Sequence, residues 1–207
     1  MKRGELIKMK KYLFTLFFIS ITFFACEEES INEPTPPPPS SSEHIIYNVH
    51  ADTGSLNMAT YFRFSDSTIV TGDDTASANW DIAFKATTIL TNSGSSGPGQ
   101  GGAIVLTGVN FSDVTTAPDT GYQIDQPGAP AIPTGSGNGW YNYDFATNII
   151  SPIPGVVLVI KTGDGKYAKV QILSYYKDAP QNPTGNEPSR YYTFKYLYQP
   201  DGSKNLE

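Results

Sequence analysis

Alternation of apolar and polar positions is the clearest pattern in the second half of the chain. In the stretch RYYTFKYLY, one face of an extended strand carries the aromatic residues Tyr192, Phe194, Tyr196 and Tyr198. The stretch VVLVIKTGDGKYAKVQILSYY predicts two strands joined at Asp164-Gly165, a dipeptide favoured in hairpin turns. Its first part, Val156–Ile160, is apolar on both faces, which is typical of a central strand covered on both sides.

The rest of the chain after the leader also favours strands over helices. Gly, Pro, Ser and Thr interrupt it at short intervals, and no window shows the 3.6-residue period of an amphipathic helix. Further strands are predicted at 45–50, 59–65, 79–91 and 103–109, with long loops at 110–139 and 178–189. We therefore predict a single all-β domain over residues 44–207, built of two packed, twisted antiparallel sheets.

The N-terminal leader has the features of an export signal. Lys10 and Lys11 precede an apolar run of about 14 residues, which is shorter than the roughly 20 residues of a membrane-spanning helix. The sequence FFAC resembles a bacterial lipobox, which implies a lipoprotein signal peptide at 1–25 and a lipid on the thiol of Cys26. Met9 is an alternative start of translation.

Acidic residues and a proline-rich spacer follow Cys26. A cysteine followed directly by glutamates resembles the surface-export signal of Bacteroidetes lipoproteins, so we expect lipid anchoring in the outer membrane at the cell surface. Residues 26–43, with the run EPTPPPPSSSE, predict a disordered acidic, Pro- and Ser-rich spacer that cannot bury apolar surface. This spacer would hold the domain away from the membrane.

Charge and cysteine content exclude several classes of protein. The formal net charge is −6 at pH 7, which makes nucleic acid an unfavourable partner because backbone binding needs clustered cations. Cys26 is the single cysteine, so the folded domain has no disulfide framework.

The glycine-rich run NSGSSGPGQGGA at 92–103 raises the question of a nucleotide site. Gly97, Gly99 and Gly102 match G-x-G-x-x-G, but the next residues, AIVLTGV, predict a strand rather than the helix that holds a pyrophosphate. The P-loop pattern fails as well, because Gln100 stands in place of its lysine. We therefore expect no nucleotide cofactor.

Four stretches together resemble the HmuY-like lipoproteins of Bacteroidetes. They are NWDIAFKATTILTNSGSSGPGQGGA, GWYNYDFATN, GDGKYAKVQILSYYKD and YYTFKYLYQPDGS, in this order. The resemblance implies an all-β, two-sheet fold on a lipid anchor and capture of haem for delivery to a TonB-dependent outer-membrane uptake receptor. It also implies that the glycine-rich run is a turn between a strand ending near Leu90 and one starting at Ala103.

The axial haem ligands of this family have no counterpart here. Haem-binding relatives use a His or Met pair from about the region of 120–150, whereas this chain has neither residue type after Met58. Asp144 and Asn148, which fall where a second ligand would lie, are poor haem ligands. The loop between Gly121 and Gly139 also looks shortened, so the segment that carries the first ligand in relatives would be missing.

Three ways of binding a ligand remain open. Tyrosinate from Tyr122, Tyr141 or Tyr143 could bind ferric iron, or a flat ligand could stack on Trp140 without an axial bond. The third is another cargo, a siderophore or other aromatic compound. The alternative for all of these aromatic residues is that they simply fill a β core and its rim.

Other chemistry finds little support in the sequence. His44 and His50 have equal parity on a predicted strand and so would share a face, but they lie too far apart to bind one metal ion, and we expect no structural metal. No G-x-S-x-G motif or paired glutamates point to an enzyme; a turn and a capped strand explain Asp73, Asp74 and Asp81.

The main rival to ligand capture is a module that binds protein or glycan. It would use exposed tyrosines, namely Tyr175, Tyr176, Tyr191 and Tyr192. A concave tyrosine-lined cleft near Trp140 would favour capture of a small molecule, and a flat aromatic patch would favour the rival.

Overall fold

The computed structural model describes residues 41–51 and 58–207, which form a β-sandwich and a small separate hairpin. The strands are β1 (Glu43–His50), β2 (Thr60–Arg63), β3 (Thr68–Val70), β4 (Ile82–Lys85), β5 (Thr88–Thr91), β6 (Gly102–Leu106), β7 (Tyr141–Asp144), β8 (Ile149–Pro152), β9 (Val157–Lys161), β10 (Tyr167–Tyr176) and β11 (Ser189–Gln199). Short 3-10 helices, Gly72–Ala76 and Phe111–Asp113, are the only helices in this part of the chain. The predicted all-β class is confirmed.

All strand pairs within the sheets are antiparallel. A five-stranded sheet has the order β1-β11-β10-β9-β6, a four-stranded sheet has the order β3-β2-β4-β5, and β7 pairs with β8. Strand β9 lies between β10 and β6, and its residues Val157–Ile160 are all buried, as its apolar sequence predicted. The turn at Asp164-Gly165 joins β9 to β10, and Gly165 adopts a φ of 88°, which glycine tolerates without strain.

The two larger sheets pack through aromatic side chains. Phe62 of β2 meets Phe194 of β11 at a ring-centroid distance of 5.3 Å, and Phe84 of β4 meets Tyr192 at 4.4 Å. These contacts follow from the alternation along β11, which puts Tyr192, Phe194 and Tyr196 on the inner face. The core between the sheets is therefore largely aromatic.

A second, smaller apolar cluster covers the outer face of the five-stranded sheet. Val157 and Val159 of β9 pack there with Phe111, Val114 and Leu206 from the loop after β6 and from the C-terminal end. Strand β9 is thus covered on both faces, which explains why it has no polar side.

The strand boundaries differ from the prediction at several places. The predicted strand at 79–91 is the hairpin β4–β5, because Ala86 adopts a φ of 47° and reverses the chain. Strands β3, β7 and β8 were not predicted, because they have three or four residues each, too few for a periodic pattern to stand out. Residues 110–139 and 178–188 are loops, as predicted, apart from the 3-10 turn at Phe111–Asp113; the second loop ends one residue earlier than predicted because β11 begins at Ser189.

The glycine-rich run forms the connection between β5 and β6, as the resemblance implied. It leads into a strand and not into a helix, so it lacks the helix N-terminus of a dinucleotide site. The predicted signal peptide at 1–25, the lipid site at Cys26 and the spacer up to residue 40 lie outside the described residues. Among the described residues, no helix is long and apolar enough to cross a bilayer.

Candidate functional site

Four aromatic residues form a buried cluster at one end of the sandwich. The ring of Trp140 lies 4.9 Å from that of Tyr141, 5.7 Å from Tyr175 and 5.2 Å from Tyr192. Tyr175 and Tyr192 meet edge to face at 5.3 Å. Aromatic pairs at these separations stabilise each other beyond their burial, so the cluster gives this end of the molecule a rigid base.

The cluster holds the turn between β4 and β5 in place. The Tyr192 hydroxyl donates a hydrogen bond to the carbonyl oxygen of Ala86 at 2.9 Å, and Trp140 Nε1 donates to that of Thr87 at 2.8 Å. Burial raises the pKa of Tyr192 well above its usual value, so this hydroxyl stays protonated and remains a donor. Two buried aromatic residues therefore fix a turn that lies between two surface grooves.

The first groove lies on the outer side of the β4–β5 hairpin and has a volume of about 450 Å³. Its walls consist of Lys85, Ala86, Thr88, Leu90, Ser95, Ser96, Gln126, Gly128, Pro130 and Thr134. Lys85 is the single charged residue among them, and hydroxyl and amide groups make up most of the rest.

A buried carboxylate ties the walls of the first groove together. Asp125, which is 1% exposed, accepts hydrogen bonds from the backbone N–H groups of Thr91 at 3.0 Å and Ala131 at 2.7 Å. Its own carbonyl oxygen accepts a bond from the Ser95 N–H at 2.9 Å. Strand β5, the glycine-rich loop and the 126–134 loop are thus fixed to one residue through its carboxylate and its backbone carbonyl, and the groove is pre-formed.

The second groove lies on the other side of the turn and has a volume of about 340 Å³. Its walls consist of Ala86, Thr87, Asn148, Ile150, Tyr175, Tyr176, Gly185, Glu187, Ser189 and Arg190. The Tyr176 hydroxyl accepts a hydrogen bond from the Ile150 N–H at 2.9 Å, which joins β10 to the β7–β8 hairpin. This groove combines aromatic, aliphatic and charged groups.

Tyr175, in the wall of the second groove, is neutral. Burial raises the pKa of Tyr175 to about 12, and the nearby Arg190 acts weakly in the opposite direction. Tyr175 and Tyr176 are 3% and 4% exposed, so only a small part of each ring reaches the groove. Of the tyrosines proposed for a flat, exposed aromatic patch, Tyr192 is also buried and Tyr191 is half-buried; that expectation of exposure was wrong.

Three of the four predicted ligand-binding residues lie close to this end. Trp140 and Tyr141 are 2% and 9% exposed and belong to the core beneath the turn. Tyr143 is half-buried and donates its hydroxyl hydrogen to Asn148 Oδ1 at 2.6 Å, at the edge of the second groove. Stacking of a ligand directly on Trp140 stays a prediction, and it would require the covering side chains to move.

Tyr122 is separated from the other three residues. It belongs to the smaller apolar cluster, where its ring lies 6.0 Å from that of Tyr167. Its hydroxyl is buried and has no hydrogen-bond partner among the described residues, and burial raises its pKa far above the usual value. Formation of a tyrosinate at Tyr122 would therefore cost more than at an exposed tyrosine.

The two histidines lie on opposite faces of the five-stranded sheet. His44 pairs with Tyr196 and stacks on its ring at 5.1 Å, and His50 pairs with Tyr191 and stacks at 4.3 Å. A β-bulge near Asn48, whose φ is 59°, shifts the register between them. The prediction of a shared face was wrong because a bulge inserts one residue and reverses the parity.

Ligands for a metal are scarce in the described part of the chain. No group of three or more His, Cys, Asp or Glu residues there is arranged to hold a metal ion. Neither groove has a His, Met or Cys among its described lining residues. The grooves can therefore offer a ligand apolar contacts, hydroxyl groups and charge.

Sequence reasoning missed Lys85 and Phe145. Lys85 ends β4 on the face opposite Phe84, and its parity placed it on the outside, but the loop that makes a groove there lies far along the chain. Phe145 is 84% exposed at the tip of the β7–β8 hairpin, and its ring meets that of Tyr143 at 4.8 Å. The turn signal in DFATN was the available clue to Phe145.

Comparison with known proteins identifies the family. The family model for the HmuY protein matches residues 55–196, which is more than half of the chain. The chain belongs to the HmuY family. Members of the HmuY family are binding proteins and not enzymes, which agrees with the lack of a catalytic motif in the sequence. A comparison with curated proteins gives no match.

A solved structure of an HmuY analog shares the fold, and two further solved structures are reported beside it. An apo HmuY analog from Tannerella forsythia is 17% identical, with a TM-score of 0.52; the match covers 79% of this chain and 98% of the analog. A candidate HmuY-like heme-binding protein from Bacteroides vulgatus is 20% identical, with a TM-score of 0.47 and coverage of 75% and 90%. A candidate lipoprotein from Bacteroides fragilis is 17% identical, with a TM-score of 0.49 and coverage of 77% and 91%.

Proposed function

We propose that this HmuY-family protein captures a flat, largely apolar small molecule, haem or a related tetrapyrrole, at the end of the sandwich that carries the two grooves. The observation that supports this most directly is the second groove, a concave surface above the aromatic cluster where Ile150 and the exposed edges of Tyr175 and Tyr176 lie among polar groups. Pre-formed concave sites lined by aromatic and aliphatic groups are typical of small-molecule binding. An aromatic cargo of another kind, such as a siderophore, would use the same surface.

The donor set at the grooves does not fit axial ligation of haem iron by His or Met. The porphyrin body would instead be held by apolar and aromatic contacts, with Tyr143 at the edge of the site and Trp140 and Tyr141 as its support. Tyrosine ligation by Tyr143 is compatible with its position, since its hydroxyl lies next to Asn148 at the groove. We therefore expect no low-spin spectrum of the kind that two strong axial ligands produce.

The leader suggests where capture takes place. In our proposal the signal peptide at 1–25 directs export, a lipid on Cys26 anchors the protein in the outer membrane, and the 26–43 spacer extends the domain from the cell surface. The cargo then passes to a TonB-dependent uptake receptor. A role as a protein- or glycan-binding module is less well supported, because three of the four tyrosines suggested for it are buried.

A spectral titration with haemin tests the proposal. We expect a Soret shift at micromolar haemin for the purified protein, in the oxidised state, without low-spin bands. Ser189→Trp fills the second groove from an exposed position on its wall and should weaken binding at least about tenfold, because the space for the ligand is lost. Thr107→Trp, exposed and outside both grooves, is the matched control.

Unchanged haemin absorbance over this range would remove haem as the cargo. Equal affinities of the wild type and Ser189→Trp would place the ligand elsewhere on the protein.

A further inference from the structure

The first groove contains one positively charged side chain, which a purely apolar ligand would leave without a partner. Its volume of about 450 Å³ is larger than that of the second groove, and its walls combine apolar surface with four hydroxyl side chains and one ammonium group. Lys85 is its one charged residue, and no carboxylate is among the lining residues. Asp125 beneath it is not available to Lys85, because its oxygens accept bonds from Thr91 and Ala131.

The charge of Lys85 is not compensated within the described residues. Lys85 is half-buried at the end of β4 and forms no ion pair with any residue that the structure describes. By contrast, Lys166, Lys195 and Lys204 are each paired with an acidic residue. In a chain with a net charge of −6, this groove is a local positive site.

Potential hydrogen-bond donors line the same groove as Lys85. Thr88 faces Lys85 across the β4–β5 hairpin, and Ser95, Ser96 and Thr134 add hydroxyl groups from two other segments. One cation with several neutral donors matches an anionic group of single charge, such as a carboxylate. The walls are fixed by Asp125 and by the hydrogen bonds to Ala86 and Thr87. Binding of a ligand would therefore cost little conformational entropy for ordering the groove.

We infer that the first groove binds a carboxylate group of the captured molecule and that Lys85 is the counter-ion of that carboxylate. The inference rests on the proposed function, and it adds that Lys85 recognises the cargo through a carboxylate group. The turn at Ala86, which lines both grooves, would let one molecule contact Ile150 and the tyrosine edges of the second groove on one side and Lys85 on the other.

The test compares a ligand with and without its carboxylates. The full-length protein is titrated with haemin and with haemin dimethyl ester, in which both carboxylates are neutral esters. We expect Lys85→Gln to weaken haemin binding about three- to tenfold, because a partly exposed charge-assisted contact is lost. Binding of the ester should be the same in the wild type and in Lys85→Gln, and Lys85→Arg should retain most of the haemin affinity.

Lys161→Gln is the matched control, because Lys161 is half-buried at the end of β9 and lines neither groove. Equal haemin affinities of Lys85→Gln and the wild type would overturn the inference while leaving haem capture intact. An equal loss for haemin and its ester would also overturn it, because the effect would then be steric. If neither compound binds the wild type, the proposed function fails and the inference fails with it.

Discussion

Asp81 connects three distant segments through one buried carboxyl group. It is 5% exposed, and its oxygens accept hydrogen bonds from the N–H groups of Phe64 at 2.7 Å and Gly163 at 3.1 Å. Burial raises its pKa to about 6, with a smaller contribution from Asp164, while the bonds and Arg63 act in the opposite direction. Burial of the charged carboxylate is therefore unfavourable, and the hydrogen bonds to Phe64 and Gly163 offset part of that cost.

This raised pKa predicts how Asp81 makes stability depend on pH. Between pH 4 and 6 the folded state binds more protons at Asp81 than the unfolded state does, so its contribution to stability falls as the pH rises through this window. Asp81→Asn removes that dependence. We expect the variant to gain up to about 3 kcal/mol relative to the wild type between pH 4 and pH 7, measured by urea unfolding at each pH.

Asp119→Asn provides a control of opposite sign. Asp119 is exposed, and its ion pair with Lys204 holds its pKa below the usual value, so its contribution is lost as the pH falls. This variant should therefore lose stability relative to the wild type as the pH rises to about 5, and the difference should then stay constant up to pH 7. A constant difference between Asp81→Asn and the wild type across pH 4 to 7 would contradict the assigned pKa.

At the scale of elements, the glycine-rich loop wraps around one buried side chain. Asn92 Nδ2 donates to the carbonyl oxygens of Ser77 and Trp80, both at 2.9 Å, and its Oδ1 accepts from the Gly99 N–H at 2.9 Å. A Cβ added at Gly97 would lie 2.2 Å from Asn92 Oδ1. The glycines are thus needed for close approach to Asn92, which a turn alone would not require.

Asn92→Ala should destabilise the protein by about 3 kcal/mol, because one buried and two partly buried backbone groups lose their partners. Urea unfolding at constant pH measures this. Asn142→Ala, on an exposed position of β7, is the control and should stay within about 0.5 kcal/mol of the wild type. A similarly small effect of Asn92→Ala would mean that the loop is held by other contacts.

The sequence predicts strands well where both faces have a clear pattern and poorly elsewhere. Strands β9, β10 and β11 follow from the apolar run and the alternation of aromatic residues. The β4–β5 hairpin was predicted as one strand, because Ala86 and Thr87 are not turn residues by composition. Their turn depends on hydrogen bonds from Trp140 and Tyr192, far along the chain.

At the scale of the whole molecule, family and fold could be predicted from the sequence, but the lining of the site only in part. The tyrosines and Trp140 were expected at the ligand, and the structure puts Trp140 under the turn instead of on the surface. Lys85 was not predicted, because its groove forms only when residues 126–134 pack beside β5. Exposure depends on such long-range packing, and a local pattern does not reveal it.

The lipid anchor is the whole-molecule feature that the sequence predicts most specifically. If Cys26 carries the lipid, Cys26→Ser should abolish labelling with a radioactive fatty acid and move the protein from the membrane to the soluble fraction, because a polar serine hydroxyl is not a substrate for thiol diacylation. Haemin binding by the purified variant should remain unchanged, since Cys26 precedes the domain at 44–207. Retention of Cys26→Ser in the membrane fraction would show that another part of the chain anchors the protein.

Replacement of Glu27 and Glu28 by Ala would keep the lipid but test the surface-export signal. The measurement is the accessibility of the protein to added protease in whole cells.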